Sequence, residues 1–352
     1  MERHTGSEAA IEPTPAACCS STRAAVANPR ESCGNASLEN LLVAKQVVIP
    51  VLFEHWPIVP AGNYWLGTDG HEGFPADAEG PAREVAVASF RISPYAVTNK
   101  EYAAFVDATG YVTESERFGW SYVFHLLLPS LEQVNVIGTP PQTPWWLAVE
   151  GAYWKQPEGP GSEIVSRMDH PVVHISWNDA TAYCRWAGVR LPTEIEWETA
   201  ARGGLRGKRY PWGDVLRQGG EHQCNIWQGV FPTFNQASDG YAGTSPVHTY
   251  KPNGYGLYNM SGNVWEWCSD WFTSNPKDRG SSESPHGPAH GTSRLMKGGS
   301  YLCHQSYCNR YRVAARSSNT PDSSSGNIGF RVVVDYFAQE DNHTTYRAVS
   351  NR

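Results

Sequence analysis

The chain has 352 residues, and 28 Lys and Arg against 35 Asp and Glu give a formal net charge of −7. This excess of acids argues against nucleic acid as a ligand, because binding to a phosphate backbone requires clustered cations. The 14 Trp, 17 Tyr and 11 Phe exclude a largely disordered chain, and 33 Gly with 25 Pro favour a loop-rich fold over a helical bundle.

Composition also bears on the membrane and on the compartment. No apolar run approaches the roughly 18 residues that cross a bilayer, and the N-terminus lacks a basic segment followed by an apolar core. We therefore expect a cytoplasmic protein with no membrane association. In a reducing compartment its eight cysteines favour reactive or metal-binding thiols over a disulfide framework.

The residue composition and the pattern of apolar runs divide the chain into three parts. Residues 1–45 are rich in Ser, Thr, Ala and Pro and predict a flexible N-terminal arm. Residues 46–336 contain short apolar runs separated by Gly and Pro, without a fixed repeat or a long linker, and predict a single domain. The polar residues 337–352 predict a flexible tail.

Helices are predicted where Ser or Thr is followed three residues later by an acid, because the two side chains cap the first turn reciprocally. This pattern and a terminating Gly predict helices over residues 98–110, 176–188 and 193–203. Beyond residue 205 the sequence predicts loops with short strands, such as residues 330–334. The Ser-, Pro- and Gly-rich residues 273–294 predict an exposed loop.

The segment 297–312 contains Cys303 and Cys308, five positions apart, among His304 and two arginines. Nearby cations lower the pKa of a thiol and favour the reactive thiolate. Two thiolates suit Cu(I), whereas a structural zinc site normally takes four protein ligands. A short-loop disulfide or two inert buried thiols remain equally open from these residues alone.

A second group of candidate residues supplies oxygen atoms in tight turns at 225–227, 238–241 and 259–266. Calcium takes six to eight oxygens from carboxylates, amides and carbonyls, so such turns can bind it. Their Asn and Asp side chains can equally hydrogen-bond their own turns, and the residues by themselves favour this second interpretation.

Several of these stretches together resemble the sulfatase-modifying factor family, which contains the formylglycine-generating enzymes. The matching stretches lie within roughly residues 55–335 and are 170–180, 190–198, 256–267, 298–316, 319–322 and 329–331. The first three are shared by the whole superfamily, whereas the stretch with the cysteine pair is specific to its catalytically competent branch. The resemblance implies an α+β fold: a single loop-rich domain of C-type-lectin-like ancestry with little regular secondary structure.

The resemblance also implies an activity. Enzymes of this family use O2, a copper ion and a thiol reductant to oxidise the cysteine of a Cys-x-Pro-x-Arg segment in an unfolded sulfatase. Loss of a Cβ hydrogen gives a thioaldehyde, which water converts to the aldehyde of Cα-formylglycine, and the sulfatase is thereby activated. By the same resemblance Cys303 and Cys308 hold Cu(I), and Ser300, Tyr307 and Trp265 lie beside it.

Two structural calcium sites are implied as well, which reverses the preference drawn from the residues alone. The implied ligands are Asn225, the Ile226 carbonyl, Asp239 and the Tyr241 carbonyl in one site, and Asn259, the Gly262 and Val264 carbonyls and Glu266 in the other. Arg316 and Asn327 also fall on matching positions, and for Arg316 a structural and a substrate-orienting role are both open.

Departures from the family pattern refine these expectations. Of the four cysteines that form two disulfides in vertebrate relatives, only Cys184 is present, with Ala201, Val313 and Val332 at the other positions. This favours a bacterial-type cytoplasmic enzyme. A non-catalytic ligand- or protein-binding module on the same fold is the alternative, and no function is predicted for Cys18, Cys19 and Cys33.

Overall fold

The computed structural model describes residues 21–23, 53–130, 134–281 and 286–336. The helices are α1 (Asn99–Thr109), α2 (Glu114–Phe118), α3 (Trp177–Ala187) and α4 (Glu194–Arg202). The strands are β1 (Ile58–Val59), β2 (Gly62–Leu66), β3 (Arg83–Val87), β4 (Phe90–Ile92), β5 (Trp120–Phe124), β6 (Val136–Gly138), β7 (Trp146–Glu150), β8 (Gly229–Val230), β9 (Phe234–Asn235), β10 (Trp265–Trp271), β11 (Arg294–Lys297), β12 (Ser317–Asn319), β13 (Ile328–Phe330) and β14 (Val333–Asp335).

Helices α1, α3 and α4 confirm the three helices predicted from sequence. Each begins with the expected capping box and ends at a glycine in the left-handed conformation. Helix α2 was not predicted, although Thr113 and Glu116 form the same capping box and Gly119 ends the helix in the same way. At five residues α2 is too short to show an apolar period, which is the pattern that revealed the other three.

A four-stranded sheet in the order β12-β11-β10-β13 carries the site described below. Strand β10 pairs antiparallel with β11 and parallel with β13, so that Trp265 lies opposite Ile328. The strand predicted over 330–334 is in fact two strands. Strand β13 ends at Phe330 and β14 begins at Val333, because the chain crosses there from this sheet to the sheet β1-β4-β14.

The cysteine segment contributes residues to two apolar clusters. The larger one contains residues of α1, of α3 and of the four-stranded sheet, called the central sheet below, together with Cys303 and Cys308. The smaller one is built on the sheet β5-β7-β6 and contains Trp120, Tyr122 and Trp146. Short elements joined by long turns in one domain agree with the predicted α+β, loop-rich fold.

The structure describes only part of the segments that were predicted to be loops or flexible ends. Within 273–294 the described residues contain a 3-10 turn at Pro276–Asp278 and lead into β11 at Arg294. Of the predicted N-terminal arm, Ser21 and Arg23 are buried against the domain, whereas Cys18, Cys19 and Cys33 lie outside the described residues. The predicted tail at 337–352 also lies outside them.

Among the described residues, no helix has both the length and the apolar character needed to cross a membrane.

Candidate active site

The cysteine segment leaves the central sheet after Lys297 through two glycines. Gly298 and Gly299 have φ of +93° and +73°, a backbone conformation that favours glycine. A Cβ on Gly299 would stand 2.9 Å from the carbonyl oxygen of Arg310. The chain therefore folds back tightly on itself, and this close return encloses both cysteines within one loop.

Cys303 and Cys308 are each 1% exposed and belong to the same apolar cluster as Trp265 and Tyr311. The Cys303 Sγ accepts a hydrogen bond of 3.4 Å from the Ser300 amide, and the Cys308 amide donates to the His304 carbonyl at 3.0 Å. Burial raises the pKa of Tyr311, and Tyr210, Cys224 and the two thiols of the loop add to the increase. The two predicted metal ligands thus lie in one buried cluster.

The arginines that follow Cys308 do not contribute uncompensated positive charge. Arg310 forms a buried ion pair with Asp77 at 2.6 Å, and the Arg312 guanidinium donates to Glu79 at 2.6 Å. Burial also lowers the pKa of His304, with Cys308 acting in the opposite direction. Each of these guanidiniums thus has a carboxylate partner of its own, and the effect of nearby cations on the thiols stays a prediction.

Ser300 is completely buried and is oriented by its neighbours. Its Oγ accepts hydrogen bonds from the Asn327 side-chain amide at 2.9 Å and from the Leu302 amide at 3.4 Å. The Asn327 Oδ1 in turn accepts from the Ser325 hydroxyl at 2.7 Å. With both lone pairs of the Ser300 oxygen engaged, its own hydrogen is left to act as a donor. Asn327 thereby fixes the direction in which Ser300 donates.

A narrow cleft, too small to hold a water molecule, borders Cys303. Its lining residues are Ser300, Leu302, Cys303, Tyr307, Trp145, Trp146 and Phe231. The Tyr307 ring stacks on Phe231 with centroids 4.4 Å apart and meets Trp145 edge-on at 5.1 Å. Sequence reasoning missed both tryptophans and Phe231, although the pair after Pro144 is a visible aromatic signature. These rings restrict the access of water to Cys303.

A wider and more open groove adjoins the narrow cleft and shares Trp145 with it. Its volume is about 600 Å³, and it is lined by His125, Val134, Val136, Pro144, Trp145, Leu147 and Pro232. A concave and mostly apolar surface of this size can bind a ligand next to the narrow cleft.

Trp265 is buried in the same cluster as the cysteines, and its backbone amide donates to the Asn327 carbonyl at 2.9 Å. Its predicted position beside the metal stays a prediction. Arg316 has a different environment: it pairs with Glu194 at 2.8 Å and donates to the Asp77 carbonyl at 2.7 Å. Of the two roles left open for Arg316, its contacts support the structural one.

The first predicted calcium site shows a convergence of oxygen atoms. The Ile226 carbonyl and the Asp239 carboxylate both accept from one nitrogen, the Gln228 side-chain amide. The Asn225 Oδ1 is buried without a hydrogen-bond partner among the described residues. The Tyr241 amide donates to Asp239 at 3.1 Å, which holds the turn in place. A cation would satisfy these acceptors, so the residues fit calcium.

The second predicted calcium site fits less closely. The Asn259 Oδ1 is a buried acceptor with no partner in the described part of the chain. Glu266, however, pairs with Arg331 at 3.0 Å and accepts from the Trp197 indole at 2.7 Å. Gly262 and Val264 lie in the bend that immediately precedes β10. This site stays a prediction in which Glu266 must share its oxygens with Arg331.

The described residues contain no cluster of three or more His, Cys, Asp and Glu side chains suited to a metal. Both predicted kinds of site use other donors, namely two thiols for copper and mainly amide and carbonyl oxygens for calcium. Cys184 is a buried thiol in α3 without a disulfide, and burial raises its pKa. It is an unreactive thiol of the core, as predicted.

Comparison with known proteins supports the fold. Residues 52–336 match the family described as the sulfatase-modifying factor enzyme 1-like domain. The solved structure of PvdO from Pseudomonas aeruginosa is 26% identical with a TM-score of 0.57, covering 78% of this chain and 92% of that chain.

Two curated relatives are considerably more similar in sequence. The formylglycine-generating enzyme of Thermomonospora curvata is 57% identical over 284 residues, which cover 79% of this chain and 92% of the relative. That of Streptomyces coelicolor is 58% identical over 277 residues, which cover 79% of this chain and 88% of the relative. The chain therefore belongs to the sulfatase-modifying factor family, the family of the formylglycine-generating enzymes.

Proposed function

We propose that this protein converts a cysteine in a Cys-x-Pro-x-Arg segment of a sulfatase to Cα-formylglycine and thereby activates the sulfatase. The names of its two similar relatives support the conversion. In the net reaction the Cβ–S bond of the cysteine is replaced by a C=O bond, and the sulfur leaves as hydrogen sulfide. One O2 accepts two electrons from the substrate and two from a thiol reductant, so the other products are one water and one disulfide.

The single observation that carries the proposal is the loop that buries two thiols beside an oriented serine at the end of an aromatic cleft. Cys303 and Cys308 are the residues that would hold copper, since soft thiolate ligands favour Cu(I). When bound, the metal would supply the one-electron chemistry by which O2 becomes reactive.

The chain's own residues contribute positioning and exclusion of water. Ser300, oriented by Asn327, donates a hydrogen bond into the cleft where negative charge develops on oxygen. The aromatic rings of Tyr307, Phe231 and Trp145 narrow the approach to Cys303. Trp265 closes the site from the side of the core.

The wide groove supports the assignment of an extended substrate. Because it is open and mostly apolar, it favours a sulfatase segment that has not yet folded over one that is already packed in a globular domain. Calcium is proposed as a structural ion on the evidence of the unpartnered Asn225 oxygen and its convergent neighbours. The cytoplasm is the proposed compartment, because three of the four disulfide cysteines of vertebrate relatives are replaced and Cys184 is left without a partner for a disulfide.

The test is mass spectrometry of a Cys-x-Pro-x-Arg peptide incubated with the purified protein, Cu(I), O2 and a thiol reductant. The expected product is the aldehyde, and a peptide with Ser in place of Cys is expected to remain unchanged. Cys303→Ser and Cys308→Ser should each abolish turnover and weaken Cu(I) binding, measured by competition with a chromogenic chelator.

Cys184→Ser is the matched control, because it removes a buried thiol that lies in α3 and not in the cleft. It is expected to retain both activities. Full turnover in the Cys303 and Cys308 variants would contradict the proposed roles. No turnover and no copper binding by the unaltered protein would favour the non-catalytic binding module instead.

A further inference from the structure

Residues 21–23 are bound to the domain in the manner of a peptide ligand. Backbone groups of all three residues are recognised: Asn319 donates to the Ser21 carbonyl at 3.3 Å, the Tyr122 hydroxyl donates to the Thr22 carbonyl at 3.0 Å, and the Arg23 amide donates to Ser323 at 2.9 Å. Such contacts hold the backbone of these residues whatever their side chains are.

The Arg23 side chain supplies the specific part of this interaction. It is 3% exposed, and its guanidinium lies over the rings of Phe118 at 4.1 Å and Trp120 at 4.4 Å. It donates to the Asp322 carbonyl at 3.2 Å, the Trp120 carbonyl at 3.3 Å and the Ser324 hydroxyl at 3.1 Å. Two aromatic faces and three oxygen acceptors form a pocket that selects the flat arginine fork over other side chains.

This arginine pocket lies close to the cleft that reaches Cys303. The Ser21 hydroxyl is 2.6 Å from the Thr143 hydroxyl. The Thr143 carbonyl accepts from the Trp146 amide at 3.0 Å, so Thr143 and the two tryptophans of the narrow cleft belong to one turn. A chain that runs from Arg23 back through Ser21 is thus directed to the wall of the cleft.

The spacing of Cys19 and Arg23 in the sequence matches the proposed substrate motif. Arg23 follows Cys19 by four positions, which is the spacing of Cys and Arg in the Cys-x-Pro-x-Arg segment of the proposed function. By the same count Ser21 stands at the position of the proline in such a segment. Spacing alone is weak evidence, since Cys308 and Arg312 share it, but Arg312 is paired with Glu79.

We propose that residues 21–23 are an intramolecular pseudosubstrate, which occupies the subsite for the arginine of the substrate and competes with it. This inference rests on the proposed function and concerns the regulation of the same site. The substrate then binds only to the fraction of molecules whose subsite is vacant, and its apparent affinity falls by that fraction. A tethered segment at about millimolar effective concentration with a local affinity near 0.1 mM would weaken substrate binding about tenfold.

The test measures binding and does not require turnover. A fluorescent Ser-x-Pro-x-Arg peptide is titrated by anisotropy with the full-length protein, with Arg23→Ala and with the control Arg30→Ala, which removes an arginine seven positions further on. Arg23→Ala should bind the peptide about tenfold more tightly, and Arg30→Ala should bind it like the unaltered protein. Circular dichroism checks folding, and Arg23→Gln replaces the alanine variant if that variant unfolds.

A second arm adds an unlabelled peptide of residues 20–27 to Arg23→Ala. It should displace the labelled peptide competitively, and the same peptide with Ala for Arg23 should not. Unchanged affinity in Arg23→Ala, or failure of the 20–27 peptide to displace the label, would show that residues 21–23 are only a structural strap. Turnover of a Cys-x-Pro-x-Arg peptide with an unchanged KM in Arg23→Ala would overturn this inference while leaving the proposed function intact.

Discussion

Asp270 in β10 is a buried carboxyl group whose charge is poorly compensated. Its Oδ2 accepts from the Glu194 amide at 2.8 Å and from the Ser269 hydroxyl at 3.3 Å, whereas its Oδ1 is buried with no partner among the described residues. Burial raises its pKa to about 7, and the carboxylates of Glu194 and Glu196 contribute to the increase. The positive charge of Arg294 in the neighbouring strand favours the ionised form of Asp270 and so lowers its pKa. The Arg294 guanidinium donates its hydrogen bond to the Ser269 carbonyl.

A raised pKa makes stability fall as the pH rises. The folded state retains the Asp270 proton up to about pH 7, whereas the unfolded state loses it near the ordinary value of 3.8. The contribution of Asp270 to stability is therefore fully present below the unfolded pKa and is lost as the pH rises to the folded pKa. At about 1.4 kcal/mol per pH unit, the loss between about pH 5 and pH 8 comes to about 3 kcal/mol.

The perturbation is Asp270→Asn, which keeps an oxygen for the Glu194 amide and cannot ionise. Urea unfolding at a series of pH values should show the difference in unfolding free energy between this variant and the unaltered protein growing by about 3 kcal/mol from about pH 5 to pH 8 in favour of the variant. Asp107→Asn, which removes an exposed carboxyl from α1, is the control for the lost charge. A difference that stays constant across this range would refute the reasoning, because Asp270 would then be ionised in the folded state.

Three further predictions concern the ligand sites. A calcium chelator should lower the melting temperature by about 5 °C and added calcium should restore it, measured by calorimetry, and Asp239→Asn should reduce this response. Tyr307→Phe keeps the ring that stacks on Phe231 but lacks the hydroxyl, so steady-state assays of the peptide should show kcat about tenfold lower with KM nearly unchanged. Ser21→Pro completes a Cys-Ser-Pro-Thr-Arg segment, and mass spectrometry of the variant should show Cys19 converted to formylglycine at a rate independent of protein concentration.

The features of this protein that could be predicted from its sequence are those that depend on residues close together in the chain. The capping boxes gave α1, α3 and α4 because each box is a local exchange of hydrogen bonds within four residues. Ser300, Cys303, Tyr307 and Cys308 all lie in one short stretch, so one motif was sufficient to identify them. In the folded chain Ser300, Cys303 and Tyr307 line one cleft, and Cys308 lies in the same apolar cluster as Cys303.

The missing part depends on contacts between distant segments. Phe231 and Trp145 complete the cleft from two separate loops, and no local pattern relates either of them to Tyr307. Likewise, the sequence around Cys308 suggested that Arg310 acts on the thiols. Its partner Asp77 lies 233 positions earlier, and only the folded chain brings the two together.

These long-range ion pairs explain how a loop with little regular secondary structure can keep a defined shape around the two thiols. Between β11 and β12 the cysteine segment has no named strand or helix to align it, so side chains must set its shape. Arg310 and Arg312 pair with Asp77 and Glu79 just after Cys308, and Gly299 packs against the Arg310 backbone just before Cys303. Removing one partner of a buried pair costs about 3–5 kcal/mol, because the other charge is left uncompensated. Arg310 and Arg312 therefore help to set the shape of the loop that contains the two cysteines.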